Sequence, residues 1–565
     1  MTDSRTASAP GPAGCTGAPV VRHLRQVLLW PVRLMRPDHR GPDTVPAWQL
    51  LQAMGEASPW REVVDEYDAG GGGRFQERHY NEFVSFLPYV QRFLYGEGRG
   101  GSRGEGRAER GGDSPMRVFR RQDIAALRVV PRAGDAPLTL HVAHIDLYFF
   151  YDVDVVILNV EVGADDLSLA QAHEQLYRFG RAYPAGWKPD GAALHCMHGV
   201  EWLDAQGAVL ASSDAREREV FLAHVSEHRA PRVASHWDYV MRPLVSDHSG
   251  AVGALRYRQI EYYRMPMMAY LAVDEPQRLT RAEFVRLGLV TGPGGADGDL
   301  PFSEQHLDDF EQRCCYDRFW SPGGAAPYTR YLCSGHALVV VGDARAEFFR
   351  CPLRGVLAQF RHQHFLLFLI AHFQKAALLM FSAQLVEALQ RLDIRDVRLV
   401  KRFKRSIRAA FERFLRFTHR YWFHQISEQA QVRALSALCV RHLDTDALYQ
   451  EVRDRIADMN AYLETDSLRR QANTVMRLTV VTLFGLIGSV TTGFLGMNLL
   501  AEADAPWWRK LGMFILVAGF FTWLTFYTLI KSQRLSDFID ALSDQRQTWR
   551  GKLATLARVW RAGAD

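Results

Sequence analysis

The chain has 565 residues, enough for several domains, with 48% hydrophobic and 23% charged residues and a formal net charge of +5. That charge is too small for this length to argue for a nucleic-acid partner. Seven cysteines (Cys15, Cys196, Cys314, Cys315, Cys333, Cys351, Cys439) form no Cys-x-x-Cys pair and read as reduced cytosolic thiols, not as a disulfide framework.

In chain order, residues 1–45 are rich in Ala, Pro, Gly and Arg and are expected to be a disordered basic segment without a cleaved signal peptide. Inside them, VVRHLRQVLLWPVRLMRP reads as a short docking helix, with a membrane-surface contact as the alternative. Residues 46–350 are expected to form a cytoplasmic α/β domain. It is interrupted near 96–115 by GEGRGGSRGEGRAERGGDSP, a flexible loop. The Gly96-x-Gly98-x-x-Gly101 within it is no dinucleotide fingerprint, because no strand precedes it and no apolar helix follows. AGGGGRF at 69–75 lacks the Gly-Lys-Ser/Thr of a phosphate loop.

LHVAHIDLYFF and VDVVILNVEV read as two strands around a tight turn. DLSLAQAHEQLYRFGRAYP then shows helical periodicity with Asp at its start. Asp152 and Asp154 would share one strand face. A solvated hairpin edge is the expected role, and a regulatory cation site the alternative. His195-Cys196-Met197-His198 has metal-capable side chains but no third or fourth ligand at a defined spacing.

Residues 351–477 carry helix signals, with no proline from 361 onward, and are expected to form a helical stalk. HFLLFLIAHFQKAALLMF contains His364, His372 and Lys375 and reads as a buried packing helix rather than a membrane span. Residues 401–425, KRFKRSIRAAFERFLRFTHRYWFHQ, interleave basic and aromatic side chains. A membrane-facing or inter-helix surface suits them better than nucleic acid. Asp444, Asp446, Glu451, Asp454, Asp458, Glu464 and Asp466 read mostly as a solvated helix face.

Residues 478–496 and 511–530 are two runs without a charge, each long enough to cross a bilayer core of roughly 30 Å. Arg469, Arg470 and Arg477 precede the first, and Lys531 and Arg534 follow the second. The positive-inside rule places both long ends in the cytoplasm and the 497–510 loop outside, with Trp507 and Trp508 at an interface. The segment 531–565 would be a cytoplasmic C-terminal helix. The first run carries Gly485, Gly488 and Gly493 among several Ser and Thr, which lets helices approach closely.

Gly496-Met497-Asn498, at the outer end of the first of two C-terminal spans, resembles the signature of the CorA family of divalent-cation channels. Asn473-Thr474-Val475-Met476-Arg477 is similar to the entry of that family's pore helix. The resemblance implies an α+β cytoplasmic domain, a long α-helical stalk and a two-helix transmembrane hairpin in a funnel-shaped homopentamer of the inner membrane. It implies transported Mg²⁺, no resident cofactor and no catalytic residues. Gly496, Met497 and Asn498 would form the external mouth, with Asn498 holding a hydrated ion. Asn473, Met476, Thr482, Leu486, Ser489 and Gly493 would line the pore, and Glu502 and Asp504 would gather cations outside. The chain departs from the pattern at Leu495, where an aromatic is common, and in a loop without Met-Pro-Glu-Leu. A Zn²⁺, Co²⁺ or Ni²⁺ transporter, or a non-conducting membrane-anchored sensor or scaffold, stands beside the Mg²⁺ reading.

Overall fold

The computed structural model describes residues 19–35, 45–63, 77–96, 115–261, 263–294, 300–390, 397–495, 506–509, 511–512, 515–517, 519–520, 522–524 and 527. The chain divides into two compact units, Met1–Asp454 and Arg455–Asp565. The flexible loop expected near 96–115 falls almost wholly, and the C-terminal segment 531–565 wholly, outside the described residues.

Among the described residues, fourteen strands of the first unit form one mixed sheet. They are β1 (Val20–Met35), β2 (Trp60–Glu62), β3 (Met116–Arg121), β4 (Ala126–Val130), β5 (Leu138–Phe150), β6 (Val155–Ser168) and β7 (Gly199–Leu203). The rest are β8 (Val209–Ser212), β9 (Leu244–Ser246), β10 (Leu255–Gln259), β11 (Met267–Val273), β12 (Cys315–Phe319), β13 (Thr329–Cys333) and β14 (Ala337–Asp343). The order is β12-β13-β14-β11-β1-β6-β5-β4-β7-β8. β10 and β9 extend from β1, and β3 and β2 from β5. β11 with β14 and β9 with β10 are the parallel pairs. This large mixed sheet with its helices is compatible with the α+β domain that the resemblance implies.

Residues 1–18 and 36–44 of the expected disordered segment lie outside the described residues, and β1 overturns the expectation for residues 20–35. Its sixteen residues are neither disordered nor helical but form the middle of the sheet. One edge pairs with β6 along Val20–Arg33, and the other pairs first with β11 and then with β10. Val20, Val21, Val27 and Val32 favour extended backbone, and Pro31 would break a helix interior. Pro31 is tolerated in a central strand because one partner changes beside it: β11 pairs with Val21–Leu28 and β10 with Val32–Met35.

β5 and β6 form the expected antiparallel hairpin. β6 runs on to Ser168, so the following helix α1 (Leu169–Arg178) is capped by Ser168 and not by an aspartate. The Ser168 hydroxyl accepts from the Gln171 amide, and the Gln171 side chain accepts from the Ser168 amide, a reciprocal box.

Both faces of the sheet are covered, which explains why β6 reads VVILNVEV without polar alternation. On one face the Gln175 amide of α1 donates to Gln26 at 2.9 Å, and Trp30 meets Trp237 edge to face. On the other lies Val356–Gln390, a π-turn at Phe360–His364 leading into α2 (Phe365–Gln390). Arg33 of β1 reaches across to Glu387 of α2 with two contacts of 2.7 and 3.0 Å. The expectation of a buried packing helix holds. Among the described residues this is the one helix long and apolar enough to cross a membrane, and 83% of its apolar window is buried inside the protein.

α2 therefore belongs to the body rather than to a free stalk. It is joined by α3 (Val397–Tyr421) and α4 (Ala430–Leu443), and α5 (Thr445–Leu495) begins in the first unit and continues into the second. Phe373 of α2 stacks on Phe150 of β5 with centroids 3.9 Å apart and meets Phe93, Phe417 and Tyr421 edge or face on. Phe373→Ala would leave a cavity at this junction. A loss of about 3–5 kcal/mol is expected, read from denaturant unfolding of the purified chain.

Candidate functional site

α5 has 51 residues, roughly 77 Å of helix at 1.5 Å per residue. The residues expected to line a pore all fall on it, and at 3.6 residues per turn Thr482, Leu486, Ser489 and Gly493 share one face, while Asn473 and Met476 lie off it. Asn473, Thr482, Leu486, Ser489 and Gly493 are exposed and Met476 is half-buried. Thr479 and Thr482 donate their hydroxyls to the carbonyls of Val475 and Leu478, at 2.9 and 2.8 Å. Such bonds let a hydroxyl sit in an apolar helix without an orphaned donor. A β-carbon placed on Gly493 would meet no other atom within 4 Å, so that face is open there.

Leu478, Leu483 and Leu486 of this segment expose more than half their surface, as do Trp507, Trp508, Ile515, Leu516, Phe520 and Trp523. A shorter apolar helix runs through Ile515–Leu524. Large apolar side chains this dense and this exposed call for a non-aqueous cover. Gly496, Met497, Asn498, Glu502 and Asp504 lie outside the described residues.

Asp152 and Asp154 differ from both roles expected of them. They sit in the β5–β6 connection, with Asp152 at φ 63°, and their carboxylates are taken by the basic helix α3. Arg420 donates to Asp152 at 2.9 Å and Arg416 at 3.5 Å, while Arg413 donates to the buried Asp154 at 2.8 Å. α3 buries Phe403, Ile407, Ala410, Phe414, Phe417 and Tyr421 and turns Arg405 and Arg408 to solvent, so its basic-aromatic interleaving is an inter-helix surface. Arg413→Ala would remove the arginine from the buried Asp154 carboxylate. About 3 kcal/mol of stability should be lost, with Asp154→Asn restoring part of it in the double variant.

His195 bonds the Tyr177 hydroxyl and His198 lies 3.4 Å from Arg216, so the two histidines point to different partners. Cys196 between them is buried, and burial pushes its thiol up to about 12. Among the described residues no group of three His, Cys, Asp or Glu is placed to hold a metal ion.

A polar cluster that the sequence pattern does not single out lies on the sheet face under the π-turn. His144 Nδ1 is 2.8 Å from Asp146 and its Nε2 is 2.9 Å from Glu161. Arg120 clasps Asp146 at 2.7 and 3.2 Å, and Arg361 of the π-turn lies 2.8 Å from Glu161. Burial opposes the imidazolium, but hydrogen bonds to Asp146 and then Glu161 outweigh it and raise His144 to about 9. Burial likewise opposes ionised Glu161, yet the His144 hydrogen bond holds it down at about 2. The available signal was the pair of strands HID and NVE, whose polar residues fall on one face at period two. Beside the cluster, His362 contacts Glu82 at 2.8 Å on the wall of a polar groove of about 210 Å³.

These shifts fix the pH dependence. His144 is raised, so its contribution is complete below about 6.5 and is lost as pH climbs through about 9. Burial lowers His173 to about 4 and His236 to about 3, so both contribute above 6.5 and lose that contribution as pH falls toward those values. Melting temperature measured from pH 3 to pH 10 should peak between these limits. In His144→Gln the alkaline decline should flatten while the acid decline remains. No family model matches this chain, and no curated protein or solved structure is significantly similar to it.

Proposed function

We propose that the chain is a homo-oligomeric, CorA-like divalent-cation channel that carries Mg²⁺ inward across the inner membrane. The observation that carries this reading is α5: one unbroken helix that starts at the α/β body and ends in an uncharged stretch. Four of its six pore candidates, Thr482, Leu486, Ser489 and Gly493, lie on a single face. The exposed apolar side chains of that stretch and of Ile515–Leu524 support a two-helix hairpin in lipid. One hairpin cannot enclose a path, so several copies of the chain, five by resemblance, surround it with both termini cytoplasmic.

In this reading the pore needs no catalytic group. A divalent ion entering down an inside-negative potential gains about 4.6 kcal/mol per 100 mV. Mg²⁺ gives up its water reluctantly, so a mouth that hydrogen-bonds the hydration shell suits it better than one that strips the ion. Asn498 offers a neutral donor and acceptor for that shell, and Gly496 leaves room for it. Thr482 and Ser489 are hydroxyl stations, and Leu486 and Met476 are apolar constrictions that close by dewetting. Glu502 and Asp504, repeated around the ring, raise the local cation concentration.

The test is Mg²⁺ flux into proteoliposomes under an inside-negative potential, comparing the full chain with Asn498→Ala. Flux should fall at least tenfold in the variant, and competition by Zn²⁺, Co²⁺ and Ni²⁺ ranks the ions. Folded wild-type oligomers that pass no divalent ion would remove the channel reading and leave the membrane-anchored sensor or scaffold.

A further inference from the structure

The scattered cysteines conceal a pair. Cys333 ends β13 and Cys439 lies in α4, 106 residues later, yet their sulfurs are 3.7 Å apart and both residues are fully buried. The contact is one rung of three. Two residues before Cys333, the Tyr331 hydroxyl accepts from the Gln431 amide at 2.8 Å. Two residues after it, Gly335 comes so close to the last turn of α4 that a β-carbon there would lie 2.8 Å from the His442 carbonyl. Gly335 also has φ +88°, which only glycine adopts without strain. Strand and helix are thus fixed against each other on both sides of the thiols.

We infer that Cys333 and Cys439 are a site of covalent modification, a reversible disulfide that clamps α4 to β13. Bond formation needs the sulfurs to close from 3.7 Å to about 2.05 Å, within reach of side-chain rotation and a small helix shift. The co-reactant is a low-molecular-weight disulfide of the glutathione class. One protein thiolate attacks it, forming a mixed disulfide and releasing one small thiolate. The second protein thiolate attacks the bonded protein sulfur and releases the other. Two electrons pass from the protein pair to the co-reactant, and the two protons end on the released thiols. Cys333 is the better attacking group: the hydrogen bond from Cys439 lowers its pKa, while Cys439 is pushed up. Burial makes both oxidation and re-reduction depend on local opening, so the bond, once made, is long-lived.

The consequence falls on the joint after α4. Asp444, at φ 52°, turns the chain directly from α4 into α5. A clamp on α4 fixes the first turns of α5 to the sheet edge. The inference does not depend on what α5 does further on.

The full chain is equilibrated in glutathione buffers from fully reduced to fully oxidised, acid-quenched, alkylated and digested without reductant. Mass spectrometry is expected to find one linked pair of peptides, carrying Cys333 and Cys439. The link should titrate with the buffer and disappear with a dithiol reductant. The oxidised chain should melt at a higher temperature than the reduced one, and Cys439→Ser should show neither change. Two results would overturn the inference. Either both thiols stay alkylatable in the most oxidising buffer while the same chain in urea cross-links, or Cys333 links to the neighbouring Cys314 instead.

Discussion

The body depends on the pairing of its first strand. β1 is flanked by β6 on one edge and by β11 and β10 on the other, so residues 20–35 join segments that lie more than a hundred positions away on both sides. Closing such loops costs conformational entropy that local structure cannot recover. The return comes from burial on both faces at once: Leu24, Leu28, Leu29 and Val32 are almost wholly removed from water. Without β1 the sheet would present two long unpaired edges, and the layers of α1 and α2 would lose the surface they pack against.

The face under α2 is held by charge as well as by packing. Asp146 and Glu161 share His144 and each has an arginine of its own, from β3 and from the π-turn. Asp154 is taken by Arg413, and Glu387 by Arg33 and Arg258. Buried ions are costly to desolvate, and a pair contributes little net stability over apolar residues of the same size. The benefit lies in register: the pairs of Arg361, Glu387 and Arg413 are met in one alignment of the π-turn, α2 and α3 on the sheet. The same pairing bears on function. The carboxylates of the β5–β6 hairpin are committed to arginine, which leaves Asp152 and Asp154 poorly suited to hold a regulatory divalent cation.

α5 stands apart from this pattern. Its upper segment, residues 478–495, carries no charge with which to pair, and its exposed leucines and back-bonded threonines are what a helix in an apolar medium requires. The body is specified by dense long-range contacts, and α5 is joined to α4 at Asp444. The α4–β13 contact lies next to that joint, which is why a covalent bond there would matter beyond its own stability.

The features legible without the fold were local and periodic. The β5–β6 hairpin, the burial of α2 and the single face shared by Thr482, Leu486, Ser489 and Gly493 follow from spacing within one element or between chain neighbours. Gly496-Met497-Asn498 was legible only as three letters, and it lies outside the described residues. Tertiary structure decided the rest. It made Val20–Met35 a central strand, although its leucines and arginines allow a helix, because β6 and β11 offer it two edges. It gave Asp154 to Arg413 across 259 positions and brought Cys333 to Cys439 across 106. No local pattern encodes such pairs, because the distance between two residues far apart in the chain is set by how every element between them packs.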